Sequence, residues 1–92
     1  MQITVEYAAQ IKRAAGTSTE QVDVSAPCSL QELAAMIAQR HGDGLKDLLF
    51  DAKGTLRKSV LFFIDDQQVV DGAGRQVSNA ERVTIMTPIS GG

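Results

Sequence analysis

The chain opens on a strict alternation: Ile3, Val5 and Tyr7 are interleaved with Gln2, Thr4 and Glu6. A period of two puts the three apolar side chains on one face of a strand, and Ile, Val, Thr and Tyr all favour extended backbone. The alternation returns over Glu20-Gln21-Val22-Asp23-Val24-Ser25 and predicts a second strand. Between them, Ala8 to Thr19 is small and polar apart from Ile11, and Gly16-Thr17-Ser18 reads as the tip of a connection. The two strands are expected to pair as a hairpin.

Pro27 stops the second strand, and the period then changes. Leu30, Leu33, Ala34, Ile37 and Ala38 recur at helical spacing and form one apolar stripe. Ser29-Leu30-Gln31-Glu32 has the spacing of a capping box. The serine hydroxyl accepts from the Glu32 amide, and the Glu32 carboxylate reaches back to the Ser29 amide. A helix is therefore expected from about Leu30 to His41, ended by Gly42 in a left-handed conformation. Gly44 to Phe50 predicts a short helical turn with Leu45, Leu48 and Leu49 or Phe50 facing inward, and Asp51-Ala52-Lys53-Gly54 a turn. Val60-Leu61-Phe62-Phe63-Ile64 is the most apolar run and reads as a central strand. Asp65-Asp66-Gln67-Gln68 turns the chain, Gln68-Val69-Val70 pairs back briefly, and Asp71-Gly72-Ala73-Gly74 is a loop. Arg82 to Thr87 is the last strand, and its pairing should end near Pro88, which has no amide to donate.

These elements predict an α+β fold: a mixed sheet of four to five strands with one main helix on one face. A hairpin, a crossing helix and return strands form the pattern of a β-grasp. The 92 residues make one domain, residues 1–92, with a tail at about 88–92. A chain of this size buries only about 60% of its unfolded surface, so a deep catalytic cleft is not expected.

Charge narrows the partners. The formal net charge is -2, and the basic clusters Lys12-Arg13 and Arg57-Lys58 are too short to track phosphates, so nucleic acid is not expected. One cysteine, Cys28, excludes an internal disulfide and fits a reducing cytoplasm. No stretch approaches the ~20 apolar residues of a membrane span, and the alternating N-terminus reads as a strand and not as a signal peptide. A cytoplasmic location is the expectation.

Side-chain chemistry offers little. His41, the one histidine, stands where a helix C-terminus favours a cation. Cys28 precedes a helix, a position that can lower a thiol pKa, but no histidine lies close in sequence, and a small semi-buried side chain is the better reading. One Cys and one His at this spacing do not make a metal set. Gly72-Ala73-Gly74 lacks the third glycine of a dinucleotide loop, and Asp65-Asp66 is turn chemistry. The expectation is a protein that is not itself an enzyme, with no metal and no bound cofactor.

The C-terminus differs. The chain ends Pro88-Ile89-Ser90-Gly91-Gly92, directly after the last strand. Two glycines without side chains can thread a narrow channel, and Gly92 presents an unhindered carboxylate. Adenylation would make that carboxylate a mixed anhydride open to a sulfur nucleophile, and the product would be a thiocarboxylate.

The segment Glu81-Arg82-Val83-Thr84-Ile85-Met86-Thr87-Pro88-Ile89-Ser90-Gly91-Gly92 resembles the ending of the ThiS/MoaD family of ubiquitin-like sulfur carriers. Gly54-Thr55-Leu56-Arg57, leading into Val60 to Ile64 and Asp65, resembles a second family block. The sequence departs from the family at Ile64-Asp65, where Val-Asn is usual, and at Ser78-Asn79-Ala80-Glu81, where Asp-Gly-Asp is usual. Both departures lie in turns and leave the tail intact. The resemblance implies that a ubiquitin-activating-type adenylyltransferase uses ATP to activate Gly92, that sulfur is carried as the thiocarboxylate, and that a downstream biosynthetic enzyme accepts it. The segment from Asp43 to Lys58 looks like that of the longer carriers, and the cysteine-synthesis type is slightly favoured. The small subunit of molybdopterin synthase and a protein modifier forming isopeptide bonds are the alternatives.

A partner must also grip the domain. With Val60, Phe62 and Ile64 facing the helix, Leu61 and Phe63 point to the open face of the sheet. Met86 and Thr84 join them if Val83 and Ile85 face the core. Leu61, Phe63 and Met86, with Pro88 and Ile89 of the tail, are the expected docking residues, and the three strand residues are expected to form an exposed apolar patch.

Overall fold

The computed structural model describes residues 1–69, 76–78 and 81–87. Strand β1, Gln2–Tyr7, buries Ile3, Val5 and Tyr7 as its alternation requires. It pairs antiparallel with β2, Thr19–Asp23, with Ile3 opposite Val22. Val24 lies beyond the strand, half-buried, and donates its amide to the Met1 carbonyl at 2.9 Å.

The hairpin connection holds a helix that alternation and periodicity do not announce. Helix α1, Ala9–Ala15, ends at Gly16, whose φ of 77° and ψ of 8° are left-handed. Ile11, its one fully buried residue, anchors it. Seven residues with a single apolar anchor make no stripe, and a helix this short depends on tertiary packing for its stability.

The two-residue strand β3, Cys28–Ser29, precedes helix α2, Leu30–His41. The α2 bounds match the expectation, and its capping box is closed: the Glu32 amide donates to Ser29 Oγ at 3.1 Å and the Ser29 amide to Glu32 Oε1 at 2.8 Å. Leu30, Leu33, Ala34, Ile37 and Ala38 form its buried face. Gly42 departs from the expected left-handed geometry. Its φ is 94° but its ψ is -171°, an extended conformation open essentially to glycine alone. That geometry lets α3, Asp43–Leu49, start at the next residue and bury Leu45 and Leu49, while Leu48 is half-buried. The following turn is tied by Asp51 Oδ1, which accepts from the Lys53 and Thr55 amides at 2.9 and 3.0 Å.

Strand β4, Leu61–Ile64, meets the two-residue β5, Gln67–Gln68, through Asp65 and Asp66. Both aspartates have positive φ, 49° and 73°, as a tight right-twisted hairpin turn demands. Strand β6, Gln76–Val77, pairs with β3 in a small second sheet that no sequence period signals. Strand β7, Arg82–Met86, completes the main sheet, whose order is β2-β1-β7-β4-β5. The middle position therefore belongs to β7 and not to the more apolar Val60–Ile64 run. β7 runs parallel to β1 and antiparallel to β4. The architecture is a ubiquitin-like β-grasp, with the inward residues of the sheet, among them Ile3, Val5, Phe62, Val83 and Ile85, packed in one core with α2.

Candidate functional site

The face of the sheet turned away from the core has two halves. At one end Leu61 of β4 stands directly opposite Met86 of β7, with Phe63 opposite Thr84 one step along. Leu61, Phe63 and Met86 share this face because Phe62, Ile64, Val83 and Ile85 take the core side. Each of the three is half-buried, and none is as exposed as the expectation of an open apolar patch required. Close cross-strand neighbours shield part of each other's surface. Among the described residues Met1, 37% exposed, is the exposed large apolar side chain.

The other half is charged. Arg82 donates from Nη2 to Asp66 Oδ1 at 2.9 Å, and its Nε lies 3.5 Å from Glu6 Oε1. That second contact is an ion pair too long for a good hydrogen bond, and Nε has no hydrogen-bond partner. The Thr84 hydroxyl donates to the same Glu6 oxygen at 3.4 Å. Glu6, Arg82 and Asp66 thus tie β1, β7 and the β4–β5 turn together across the face.

The apolar half lies at the C-terminal end of β7. Thr87 follows Met86 and is buried at 7% exposure. The expected site residues Pro88, Ile89, Gly91 and Gly92 lie outside the described residues.

The titratable residues sort differently from their sequence reading. His41 does end α2, but its Nε2 lies 2.6 Å from Glu20 Oε1. Glu20 also accepts from the Tyr7 hydroxyl and, at 3.2 Å, from Arg40 Nη1. Burial works against ionised Glu20, but the hydrogen bonds from Tyr7, His41 and Arg40 outweigh it and hold the carboxyl below the usual glutamate value. Burial, then the bond to Glu20 and its charge, push the Tyr7 phenol far above the ordinary tyrosine range, with Arg40 opposing. Sequence reasoning missed this network. Its members stand on β1, β2 and α2, and no local spacing connects them.

Cys28 is buried at 7% exposure. Burial and then the Glu32 carboxylate raise its pKa, opposite to the direction a helix N-terminus alone would give. Among the described residues no group of three or more His, Cys, Asp and Glu could hold a metal ion, and no helix is long and apolar enough to cross a membrane.

The ThiS family model matches residues 5–92. The chain belongs to the ThiS family. No curated protein matches the sequence. Among solved structures, this ThiS-family chain is similar to SAMP1, small archaeal modifier protein 1, of Haloferax volcanii. The identity is 18%, both chains are covered completely, and the TM-score is 0.87. It is similar to Urm1 of Trypanosoma brucei at 25% identity over 99% of this chain and 95% of that one, with a TM-score of 0.79. It also resembles a chain in the complex of subunits 1 and 2 of the molybdopterin-converting factor of Helicobacter pylori 26695. There the identity is 20%, both chains are covered completely, and the TM-score is 0.63. Family and fold make this chain a ubiquitin-like protein of the sulfur-carrier or modifier kind. Members of the ThiS family are small carriers rather than catalysts.

Proposed function

We propose that the ThiS-family chain carries sulfur as a thiocarboxylate on Gly92. The observation that carries this reading is the position of β7. It is the middle strand of the sheet, it ends beside the Leu61–Met86 pair, and Thr87 leads from it into Pro-Ile-Ser-Gly-Gly. A chain end held by the centre of a fold, next to a half-buried apolar surface, suits delivery of that end into a partner's active site.

The chemistry needs an activating enzyme of the adenylyltransferase kind. A Gly92 carboxylate oxygen attacks the α-phosphorus of ATP, the bond to the β-phosphate oxygen breaks, and pyrophosphate leaves. Hydrosulfide then attacks the acyl carbon. AMP leaves, a proton is lost and the thiocarboxylate remains. The partner grips the open face at Leu61, Phe63 and Met86, with Pro88 and Ile89 entering its channel. A second enzyme then accepts the sulfur. The helix and turn between Asp43 and Lys58 support the longer carriers, with a cysteine-type or related pathway as the destination and molybdopterin synthesis as the alternative. The intact mass after incubation with ATP, a sulfide source and the activating enzyme tests this. A gain equal to the exchange of one oxygen for sulfur supports it, and an unchanged mass with an active enzyme overturns it.

The likeness to Urm1 at 25% identity favours a second reading, in which the activated Gly92 is joined to lysines of other proteins. Conjugates that survive thiol reductant and carry a Gly-Gly remnant would identify it.

A further inference from the structure

Thr87 is a polar residue at the end of an apolar stripe. Val83, Ile85 and Thr87 alternate inward along β7 and its extension, and Thr87 is the buried polar side chain among the described residues. What covers this end of the sheet is α1, the helix that packs on β7. The Thr87 hydroxyl lies 3.4 Å from Gln10 Oε1 in the first turn of α1, the geometry of a weak donated hydrogen bond. The Ala8 amide donates to the Ile85 carbonyl at 3.1 Å and carries the β1–β7 ladder one residue past Tyr7. At the next residue the chain bends sharply. Ala9 has φ of 57°, a left-handed conformation that an alanine rarely adopts. Such strained residues persist where the surrounding structure holds them in place, and they concentrate at working parts of a protein. Here the bend lays α1 over the end of β7.

We infer that Thr87, seated under α1 against Gln10, is a positioning residue that fixes the root of the Gly-Gly tail. The inference rests on the proposed chemistry at Gly92. Five residues follow Thr87 and span roughly 18 Å at most. With the root fixed, the enzyme acting on Gly92 meets a carboxylate whose reach is set from a known point. With the root loose, one more residue must be ordered each time the carboxylate reaches the reacting phosphorus.

Thr87→Ala empties the seat and Thr87→Val refills its volume. In adenylation followed by ATP–pyrophosphate exchange, Thr87→Ala is expected to lower kcat about tenfold, the effect of one further backbone residue to be fixed in the transition state. KM is expected to stay within about twofold, because the docking face is untouched. Thr87→Val should recover most of the rate. Nitrogen-15 relaxation at the Ile89 amide gives a readout that does not need the enzyme: motion should increase in Thr87→Ala and return toward native in Thr87→Val. An unchanged kcat in Thr87→Ala, or a KM that rises in step with the loss, overturns the seat. If no adenylation occurs in the native protein but the Ile89 amide responds as described, the sulfur-carrier reading fails and the seat stands. If the amide does not respond, the seat fails whatever the kinetics.

Discussion

Glu20 of β2 and His41, the last residue of α2, meet at 2.6 Å between Oε1 and Nε2, although 21 residues separate them in sequence. The contact fastens the C-terminal end of the main helix to the edge hairpin. Tyr7 shares it: its hydroxyl donates to the same oxygen, and its ring meets the imidazole edge-on with centroids 5.9 Å apart. Arg40 binds the second carboxylate oxygen and, at 3.4 Å, the Gln21 carbonyl.

The network makes stability depend on pH at both ends of the scale. Glu20 is held below its usual 4.5 in the fold, so the unfolded chain takes up a proton first as pH falls. The stabilisation is complete above about pH 4.5 and is lost as pH falls through the lower folded value. Tyr7 is raised from 10.0, so above that pH the unfolded chain loses the phenol proton first and stability declines as pH rises. Urea midpoints followed from pH 7 downward should drop below pH 4.5 in the native protein, and that drop should shrink in Glu20→Gln. A parallel pH dependence in the variant would assign the effect to other carboxylates.

Removing the shared acceptor should weaken the fold. Glu20→Ala leaves the half-buried Tyr7 hydroxyl and His41 imidazole without their partner, and a loss of about 1–3 kcal/mol is expected. Tyr7→Phe removes one donor and should lose less. Equilibrium urea unfolding of the two variants checks the order. Equal losses would mean that the Tyr7–Glu20 bond accounts for the whole contribution of the network, and no loss in Tyr7→Phe that ring packing alone holds Tyr7.

The apolar half of the open face should govern partner binding. Leu61→Lys puts a charge opposite Met86 on β7. Because both residues are half-buried and off the core, unfolding stability should change by less than about 1 kcal/mol. Affinity for the proposed activating enzyme should fall at least about tenfold, because a charge placed in an apolar contact is desolvated without a partner. Gln21→Lys, on the same face at the β2 edge, serves as the control. Titration calorimetry that found the two variants equal would remove Leu61 from the interface.

The capping box is a local device with a local magnitude. Ser29→Ala strips the acceptor from the Glu32 amide and should destabilise by about 1 kcal/mol. Thermal denaturation measures it. The variant should keep the chemistry proposed at Gly92, because Ser29 stands on β3 at the cap of α2 and not on β4 or β7, which carry the apolar pair.

Cys28 should resist thiol reagents in the fold. Its burial and raised pKa leave little accessible thiolate at neutral pH. Reaction with a disulfide reagent should be slow in buffer and fast in denaturant. Equal rates would contradict the burial.

Much of this fold was legible because it is written in local periods. Ile3, Val5 and Tyr7 could face one way only as a strand, and the stripe of α2 between Ser29 and Gly42 carried both its face and its caps. The Val83–Ile85 alternation likewise marked Met86 for the open face, and the alternation of Val60, Phe62 and Ile64 marked Leu61. The Gly-Gly ending and the family resemblance came from the same linear text.

Other features required the third dimension. Helix α1 fully buries Ile11 alone, with Ala14 and Ala15 partly packed on the core, and one full anchor has no period. Strands β3 and β6 are two residues each, shorter than any alternation can mark. The choice of β7 over the greasier β4 for the middle of the sheet depended on its parallel pairing with β1, some eighty residues away, which hydropathy does not encode. The Glu20 network and the seat of Thr87 under α1 depend on those pairings in turn. Local backbone preference and burial pattern are properties of neighbouring residues, so the sequence by itself determined the elements and their faces. Long-range pairing is a property of the assembled sheet. Only the tertiary structure decided that the last strand takes the middle of the sheet, and that Thr87 at its end meets Gln10 of α1.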